Sequence, residues 1–212
     1  MSQDFFDYRR NYTLSQLSEE QLPANPFRLL EDWINEAIRK AHPEALAFVL
    51  STSSTPEGQP SSRVVLLKQL TPEGLVFFTN YLSRKAEEIK LNPKVSAHFF
   101  WPLLERQIRI EGKAQKTERD LSDKYFDERP LESRIAAIVS PQSQPIPSRK
   151  WLEENFENFR QNHAVLKRPE YWGGYIIRPH RIEFWQGRPN RLHDRIVYQL
   201  QANEWIIKRL AP

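Results

Sequence analysis

The segment Arg191-Leu192-His193-Asp194-Arg195 follows closely on Glu183-Phe184-Trp185-Gln186-Gly187. In an extended chain side chains alternate between faces, so Arg191, His193 and Arg195 would share one face. Two guanidiniums and an imidazole beside the indole of Trp185 suit a flat, anionic, aromatic ligand: cations for the charge, planar groups for the ring. The same residues also fit a solvated basic turn that closes a hairpin.

Three further groups could hold anions. Ser83-Arg84-Lys85 stands at a helix start just after Thr79-Asn80, where free N–H groups and the positive helix end favour phosphate. Cations oppose the dipole there and call for a compensating anion. In Arg63-Val64-Val65-Leu66-Leu67-Lys68 both faces carry aliphatic residues, so neither is expected to be freely solvated. One face would fill a barrel, and the other would meet helices or a second subunit. Strict alternation puts Arg63 and Lys68 on opposite faces, serving different ends of one ligand, flanking a bulge, or simply ending a core strand. Tyr125, Arg129 and Ser133 are spaced i, i+4, i+8, which aligns them on one continuous helical face, although Pro130 is expected to break it. That face resembles a phosphate cradle, but by themselves these residues fit better the polar side of an amphipathic helix.

Other chemistries find little support. The five histidines show no HxxxH or HxH spacing, and there are no cysteines, so no metal site is expected. No Gly-x-Ser-x-Gly elbow, Walker loop or GxGxxG occurs. Difficult chemistry would therefore need an organic cofactor. The net charge of +4 raises nucleic acid as a partner, but the cations are scattered rather than gathered in a tail or stripe, which favours small anions. The longest apolar runs, such as 64–67, are too short to span a bilayer, and no secretory signal is visible at Met1-Ser2-Gln3-Asp4-Phe5. A cytoplasmic protein is expected, without membrane or nucleic-acid partners.

These residues must be positioned by a fold whose signals are mostly β. At 212 residues with 39% hydrophobic content, the chain can bury one domain's core. Residues 1–24 read as a polar arm, and 25–212 as a single domain. Asn25-Pro26 starts a helix over 26–41, with Phe27, Leu30, Ile34, Ala37, Ile38 and Ala41 at helical spacing. Strands are expected at Ala45–Thr52, Ser62–Gln69 and Leu75–Thr79, with turns at Thr55-Pro56-Glu57-Gly58 and Thr71-Pro72-Glu73-Gly74. Ser83 would cap a short helix stopping before Asn92-Pro93. Val95–Trp101 and Glu105–Lys116 follow as strands. A helical section over 118–162 has pieces near 118–139 and 148–162, with Ser148 as N-cap and a proline-punctuated loop between. Strands at Gly174–Arg178, Arg181–Gly187, Arg195–Leu200 and Glu204–Leu210 close the chain. The pattern predicts a mainly β (α+β) protein: an antiparallel barrel with peripheral helices.

Taken together and in order, these segments resemble the pyridoxine (pyridoxamine) 5′-phosphate oxidases, from about Tyr8 to Pro212. The matching motifs are Arg63 to Lys68, Thr79-Asn80 with Ser83-Arg84-Lys85-Ala86, Leu104-Glu105-Arg106-Gln107, and Ser140-Pro141-Gln142-Ser143. Trp172-Gly173-Gly174, Ile182 to Gly187, Arg191 to Arg195 and Arg209-Leu210-Ala211-Pro212 complete them. The resemblance implies a split β-barrel of the FMN-binding type and a homodimer with FMN at the subunit interface. It implies oxidation of pyridoxamine or pyridoxine 5′-phosphate to pyridoxal 5′-phosphate with O2 as acceptor, hydride passing from the substrate C4′ to flavin N5. FMN contacts are implied for Arg63, Val64, Val65, Leu66, Leu67, Lys68, Phe78, Thr79, Arg84, Lys85, Gln107, Gln142, Ser143, Trp185 and Arg195. Substrate contacts are implied for Lys68, Tyr125, Arg129, Ser133, Arg191, Leu192 and His193, with Arg9, Arg10, Asn11 and Tyr12 closing over the site. Arg191 and His193 are the implied catalytic pair, orienting substrate rather than bonding to it. Phe78 departs from the family, where tyrosine is expected, and removes a hydroxyl. Two other readings remain: a related split-barrel flavin oxidase acting on another aromatic such as a phenazine precursor, and a non-catalytic flavin or pyridoxal-phosphate carrier.

Overall fold

The computed structural model of the chain describes residues 3–7, 10–40, 43–55, 58–162 and 166–212. Expectations that fall on Tyr8, Arg9, Ala41, His42, Pro56, Glu57 and His163 lie outside the described residues. Helix α1 (Pro26–Arg39) is followed by strands β1 (Ala47–Thr52), β2 (Ser61–Leu66), β3 (Gln69–Thr71) and β4 (Gly74–Asn80). Helix α2 (Arg84–Leu91) leads into β5 (Lys94–Trp101) and β6 (Arg106–Lys116). Helices α3 (Arg119–Glu128), α4 (Leu131–Val139) and α5 (Arg149–Asn162) precede β7 (Trp172–Gln186), β8 (Asp194–Gln201) and β9 (Glu204–Leu210). The strands are hydrogen-bonded in the order β2-β1-β5-β6-β7-β4-β3, with β8 on β7 and β9 on β8.

The chain divides into two compact units. The first comprises Met1–Phe48, Ala97–Glu111 and His180–Pro212. Here the Asn25 side chain accepts the Phe27 N–H at 2.9 Å, with Pro26 at the first helical position, and α1 turns Leu30, Trp33, Ile34 and Ala37 inward. The Trp33 ring meets Phe184 edge-on at 5.2 Å and carries the Arg106 guanidinium at 4.4 Å. Arg106, itself buried, donates to Gln186 at 2.8 Å and Glu36 at 2.5 Å. The β8–β9 hairpin turns on Ala202 and Asn203, both at positive φ, the mirror-image turn that matches strand twist.

The second unit comprises Val49–Ser96 and Gly112–Pro179. Strand β4 is buried along almost its whole length and pairs antiparallel with β3 on one side and with the start of β7 on the other, Thr79 opposite Gly173. Gly74 is required at the β3–β4 turn, because a Cβ there would sit 2.0 Å from the Ile177 carbonyl oxygen. Ser148 caps α5 as expected, its hydroxyl accepting the Trp151 N–H at 3.1 Å.

Several boundaries differ from expectation. The strand expected over 62–69 breaks after Leu66, so Leu67 and Lys68 link β2 to β3. The two strands expected at 174–178 and 181–187 are one, β7. Pro179 lacks only a donor, and its fixed φ suits extended chain. Helix α1 ends at Arg39, with Lys40 as its C-cap.

Trp33 is 4% exposed and links α1 to the strands below it. Trp33→Ala should lower unfolding free energy by about 3–5 kcal/mol, the range for emptying a large aromatic site. Urea unfolding checks this, and a loss under about 1 kcal/mol would mean that α1 does not pack as described.

Candidate active site

In the second unit, strand β2 and helix α2 gather two guanidiniums around one carboxylate, and α2 adds a third cation, Lys85. Glu88 accepts from Thr52 at 2.5 Å, Ser61 at 2.6 Å and Arg84 at 2.9 Å, and Arg63 lies 3.6 Å away. Burial pushes the Glu88 carboxyl up, but these hydrogen bonds from Ser61, Thr52 and Arg84 outweigh it and hold the group below the usual range. Arg63 also donates to the Leu50 carbonyl at 3.1 Å and Thr52 at 2.6 Å. Among the described residues Lys85 meets no carboxylate: its ammonium rests on Thr79 at 3.1 Å, Ser83 at 3.0 Å and Gln142 at 2.8 Å, all neutral oxygens. Burial, reinforced by Arg63, brings the Lys85 ammonium down to about 8. Arg63, Arg84 and Lys85 against Glu88 leave two positive charges in excess, the complement of a phosphate dianion. Of the two cations expected to await an anion, Arg84 is satisfied by Glu88 and Lys85 is not. The Ser83 hydroxyl does not cap α2 but donates to the Asn80 carbonyl at 2.7 Å.

Elsewhere in the same unit an aromatic slab carries two more cations. Phe78 stacks on Tyr125 at 4.0 Å and on Trp172 at 5.6 Å. Arg129 lies 4.6 Å over the Trp172 ring, and the Lys68 ammonium 6.0 Å from Tyr125. Tyr125, Arg129 and Ser133 do not share a continuous helical face. Tyr125 is on α3, Arg129 is its extended C-cap, and Ser133 is on α4 beyond Pro130. The break turns the guanidinium onto the slab, where its Nη1 is buried without a hydrogen-bond partner. Burial holds Arg129 below its ordinary range despite nearby Tyr125. Trp172 entered the sequence argument only as part of a motif, yet it supports both Phe78 and Arg129. The glycines after it carried the signal: a Cβ on Gly174 would lie 2.5 Å from Thr117 Oγ1 and 2.9 Å from Phe78.

The first unit builds a cavity of about 620 Å³ lined by Arg10, Asn11, Tyr12, Arg188, Asn190, Arg191 and His193. Arg191 to Arg195 is not extended throughout. Asn190 and Arg191 are both left-handed (φ 56° and 61°), and β8 begins only at Asp194. The turn still delivers His193 onto Trp185, ring centroids 4.6 Å apart, and Tyr12 of the arm meets both rings edge-on at 5.7 and 5.6 Å. His193 Nδ1 accepts the Arg188 backbone N–H at 3.1 Å, so the neutral ring carries its proton on Nε2. Burial and Arg191 lower the His193 pKa, against Asp194, which raises it. Arg195 pairs with Trp185 across β7–β8, but its guanidinium is taken by the buried Glu183 at 2.8 and 2.9 Å. Leu192 is 68% exposed, and Gln107 bonds His98 at 3.1 Å.

Comparison with known proteins decides the lineage. Residues 34–163 match the family model described as pyridoxamine 5′-phosphate oxidase. The chain belongs to the pyridoxamine 5′-phosphate oxidase family. Residues 172–212 match the pyridoxine 5′-phosphate oxidase C-terminal dimerisation region. The chain is 47% identical to the pyridoxine/pyridoxamine 5′-phosphate oxidase of Pseudomonas fluorescens, with all of both chains covered. It is 49% identical to that of Bacteroides thetaiotaomicron, covering 97% of this chain and 98% of the relative. Among solved structures, PhzG from Burkholderia lata, in complex with tetrahydrophenazine-1-carboxylic acid, superimposes with a TM-score of 0.87 at 30% identity, covering 91% and 95% of the two chains. An FMN-binding, pyridoxamine 5′-phosphate oxidase-related protein from Nostoc punctiforme shares the fold at a TM-score of 0.72 and 18% identity, covering 90% and 100%. The split β-barrel expected from the sequence is the fold of this family. Among the described residues no helix is long and apolar enough to cross a membrane, and no group of side chains could hold a metal ion.

Lys85 yields a pH prediction. With its pKa brought from 10.5 to about 8 in the folded chain, the unfolded state binds the proton more tightly. The resulting penalty is fully present below pH 8 and fades towards 10.5. Flavin-free Lys85→Met should therefore be more stable than the parent at pH 7, by no more than about 3 kcal/mol, with the advantage vanishing by about pH 10.5. Thermal melts across this range check it. A loss of stability equal at every pH would contradict it.

Proposed function

We propose that the chain is an FMN-dependent oxidase that converts pyridoxamine 5′-phosphate and pyridoxine 5′-phosphate to pyridoxal 5′-phosphate, with O2 as electron acceptor. In this reading it works in the cytoplasm as a homodimer with FMN at the subunit interface, built as an arm (1–24) and one FMN-binding domain (25–212). The observation that carries the reading is buried cationic nitrogen without a carboxylate among the described residues, at Lys85, at Arg129 and, through its Nε, at Arg134. Lys85 has only neutral oxygens around it, and Arg129 keeps a buried Nη1 with no partner. A flavin phosphate and a substrate phosphate are the two anions the reaction brings. The names of relatives at 47% and 49% identity support the same substrates. Val64, 65% exposed, and Leu66, 41% exposed, lie on one face of β2; a second copy would cover them.

Arg63, Arg84 and Lys85, with Thr79 and the Gln142-Ser143 turn, would hold the FMN phosphate. Val64, Val65, Leu66, Leu67, Lys68, Phe78, Gln107, Trp185 and Arg195 would complete the FMN site. A bound flavin supplies the two-electron acceptor that no side chain here provides. Lys68, Tyr125, Arg129 and Ser133 would bind the substrate phosphate, so that its binding energy positions the distant reacting carbon. Arg191 and His193 orient the ring and stabilise developing charge, His193 by donating from Nε2. Leu192 and the arm residues Arg9, Arg10, Asn11 and Tyr12 close over the substrate.

The PhzG likeness favours a second substrate class, a phenazine precursor, and the phosphate discriminates the two. The protein should consume oxygen with pyridoxamine 5′-phosphate, poorly with pyridoxamine, and release FMN on denaturation. Arg129→Ala should lower kcat/KM for the phosphorylated substrate by about 2–5 kcal/mol, as when one partner of a buried charge pair is removed. It should barely affect the unphosphorylated one. Equal losses for both would remove Arg129 from the phosphate site.

A further inference from the structure

Glu105 is a buried carboxylate that none of the roles above uses. It is 3% exposed and lies in the turn between β5 and β6 with a left-handed backbone (φ 55°). Glutamate is an uncommon choice there, and the conformation is held against a cost of order 1 kcal/mol. Its backbone is fixed from the Gly187 side: the Glu105 carbonyl accepts the Gly187 N–H at 2.8 Å and the Gln186 amide at 3.3 Å. Its side chain reaches the arm. Glu105 Oε2 accepts the backbone N–H groups of Thr13 at 2.9 Å and Leu14 at 3.0 Å, and Oε1 lies 3.5 Å from Arg10. Tyr12, between these anchors, lies against Gly187, where a Cβ would come within 2.7 Å of its ring.

We propose that Glu105 is a positioning residue for substrate, a clamp that docks the arm so that Arg10, Asn11 and Tyr12 form one wall of the His193 cavity. Bonds to a carboxylate are stronger than neutral ones, and two adjacent N–H groups on one oxygen fix both the height and the direction of the segment. The strained turn is what aims the carboxylate at the arm while its carbonyl stays on the strand that bears Trp185. Substrate binding then depends on Glu105 although Glu105 does not touch substrate. The proposal rests on the oxidase reading for its kinetic consequence and on the contacts alone for its structural one.

The test uses the full-length flavin-loaded protein with Glu105→Ala and Glu105→Gln, read by steady-state kinetics and by amide hydrogen exchange at residues 10–17. Glutamine keeps a carbonyl oxygen that can accept both N–H groups, whereas alanine keeps none. Glu105→Ala should raise KM for pyridoxamine 5′-phosphate about tenfold or more, a step worth at least one lost hydrogen bond, with a much smaller change in kcat. Thr13 and Leu14 should exchange at rates near those of free chain. Glu105→Gln should restore arm protection and bring KM to within about threefold of wild type, as expected when the acceptor survives and only the charge is lost. Wild-type KM and intact protection in Glu105→Ala would overturn the proposal, as would loss of flavin and kcat with Thr13 and Leu14 still protected. If Glu105→Ala does not fold, an unprotected arm in folded Glu105→Gln overturns it instead. An inactive wild type would refute the oxidase reading, while the exchange data still decide the clamp.

Discussion

A buried ammonium on three neutral oxygens is the constraint around which the second unit is arranged. Lys85 needs an anion, and among the described residues of the unit no carboxylate pairs with it. The Glu88 carboxylate is already shared by Arg63 and Arg84. A salt bridge to Lys85 would have been simpler and more stable for the empty chain. Leaving the charge unpaired instead reserves free energy for a ligand, because an anion entering such a site recovers the desolvation penalty that folding left uncompensated. Arg129 repeats the pattern at the aromatic slab, where a ring face rather than a carboxylate supports the guanidinium.

The first unit treats charge in the opposite way. Glu183, 1% exposed, is surrounded by Arg181, Arg195 and, at 3.9 Å, Arg109. Asp194 holds Arg209 at 2.7 Å and receives the Leu17 N–H at 3.0 Å. Here the carboxylates are spent on structure. They hold the strands and the arm in place so that Trp185, His193 and Tyr12 meet in one arrangement. A backbone N–H sets the His193 tautomer, and burial lowers its pKa. Rigid carboxylate clamps and unpaired cations divide the work between positioning and binding.

Much of this was legible in the residues. Asn25-Pro26 and Ser148 fixed helix starts because capping depends on a single side chain and its immediate neighbours. Lys85 could be singled out because a cation at a helix start opposes the dipole. Period arguments assume unbroken backbone, and the chain breaks it at two places, the one at Pro130 expected from the proline itself. The left-handed residues at 190 and 191 defeat alternation, and Pro130 takes Arg129 off the helical face. The role of Glu105 was invisible, since it depends on partners far away in the chain, 92 residues for the bond between Thr13 and Glu105. Trp172 was half visible, because the two glycines that follow it mark close packing without naming what packs.

The central claim, that Lys85 is a buried cation waiting for a phosphate, is tested most directly by titrating that one ammonium. With lysine side chains isotopically labelled and the Lys85 signal assigned by its absence in Lys85→Met, its resonance can be followed with pH in the flavin-free and FMN-loaded protein. The account predicts a midpoint of about 8 in the flavin-free chain, rising by at least about one pH unit when FMN binds, as an opposite charge stabilises the protonated form. Riboflavin, which lacks the phosphate, should leave it unchanged. A midpoint near 10.5 that ignores both flavins would contradict the account.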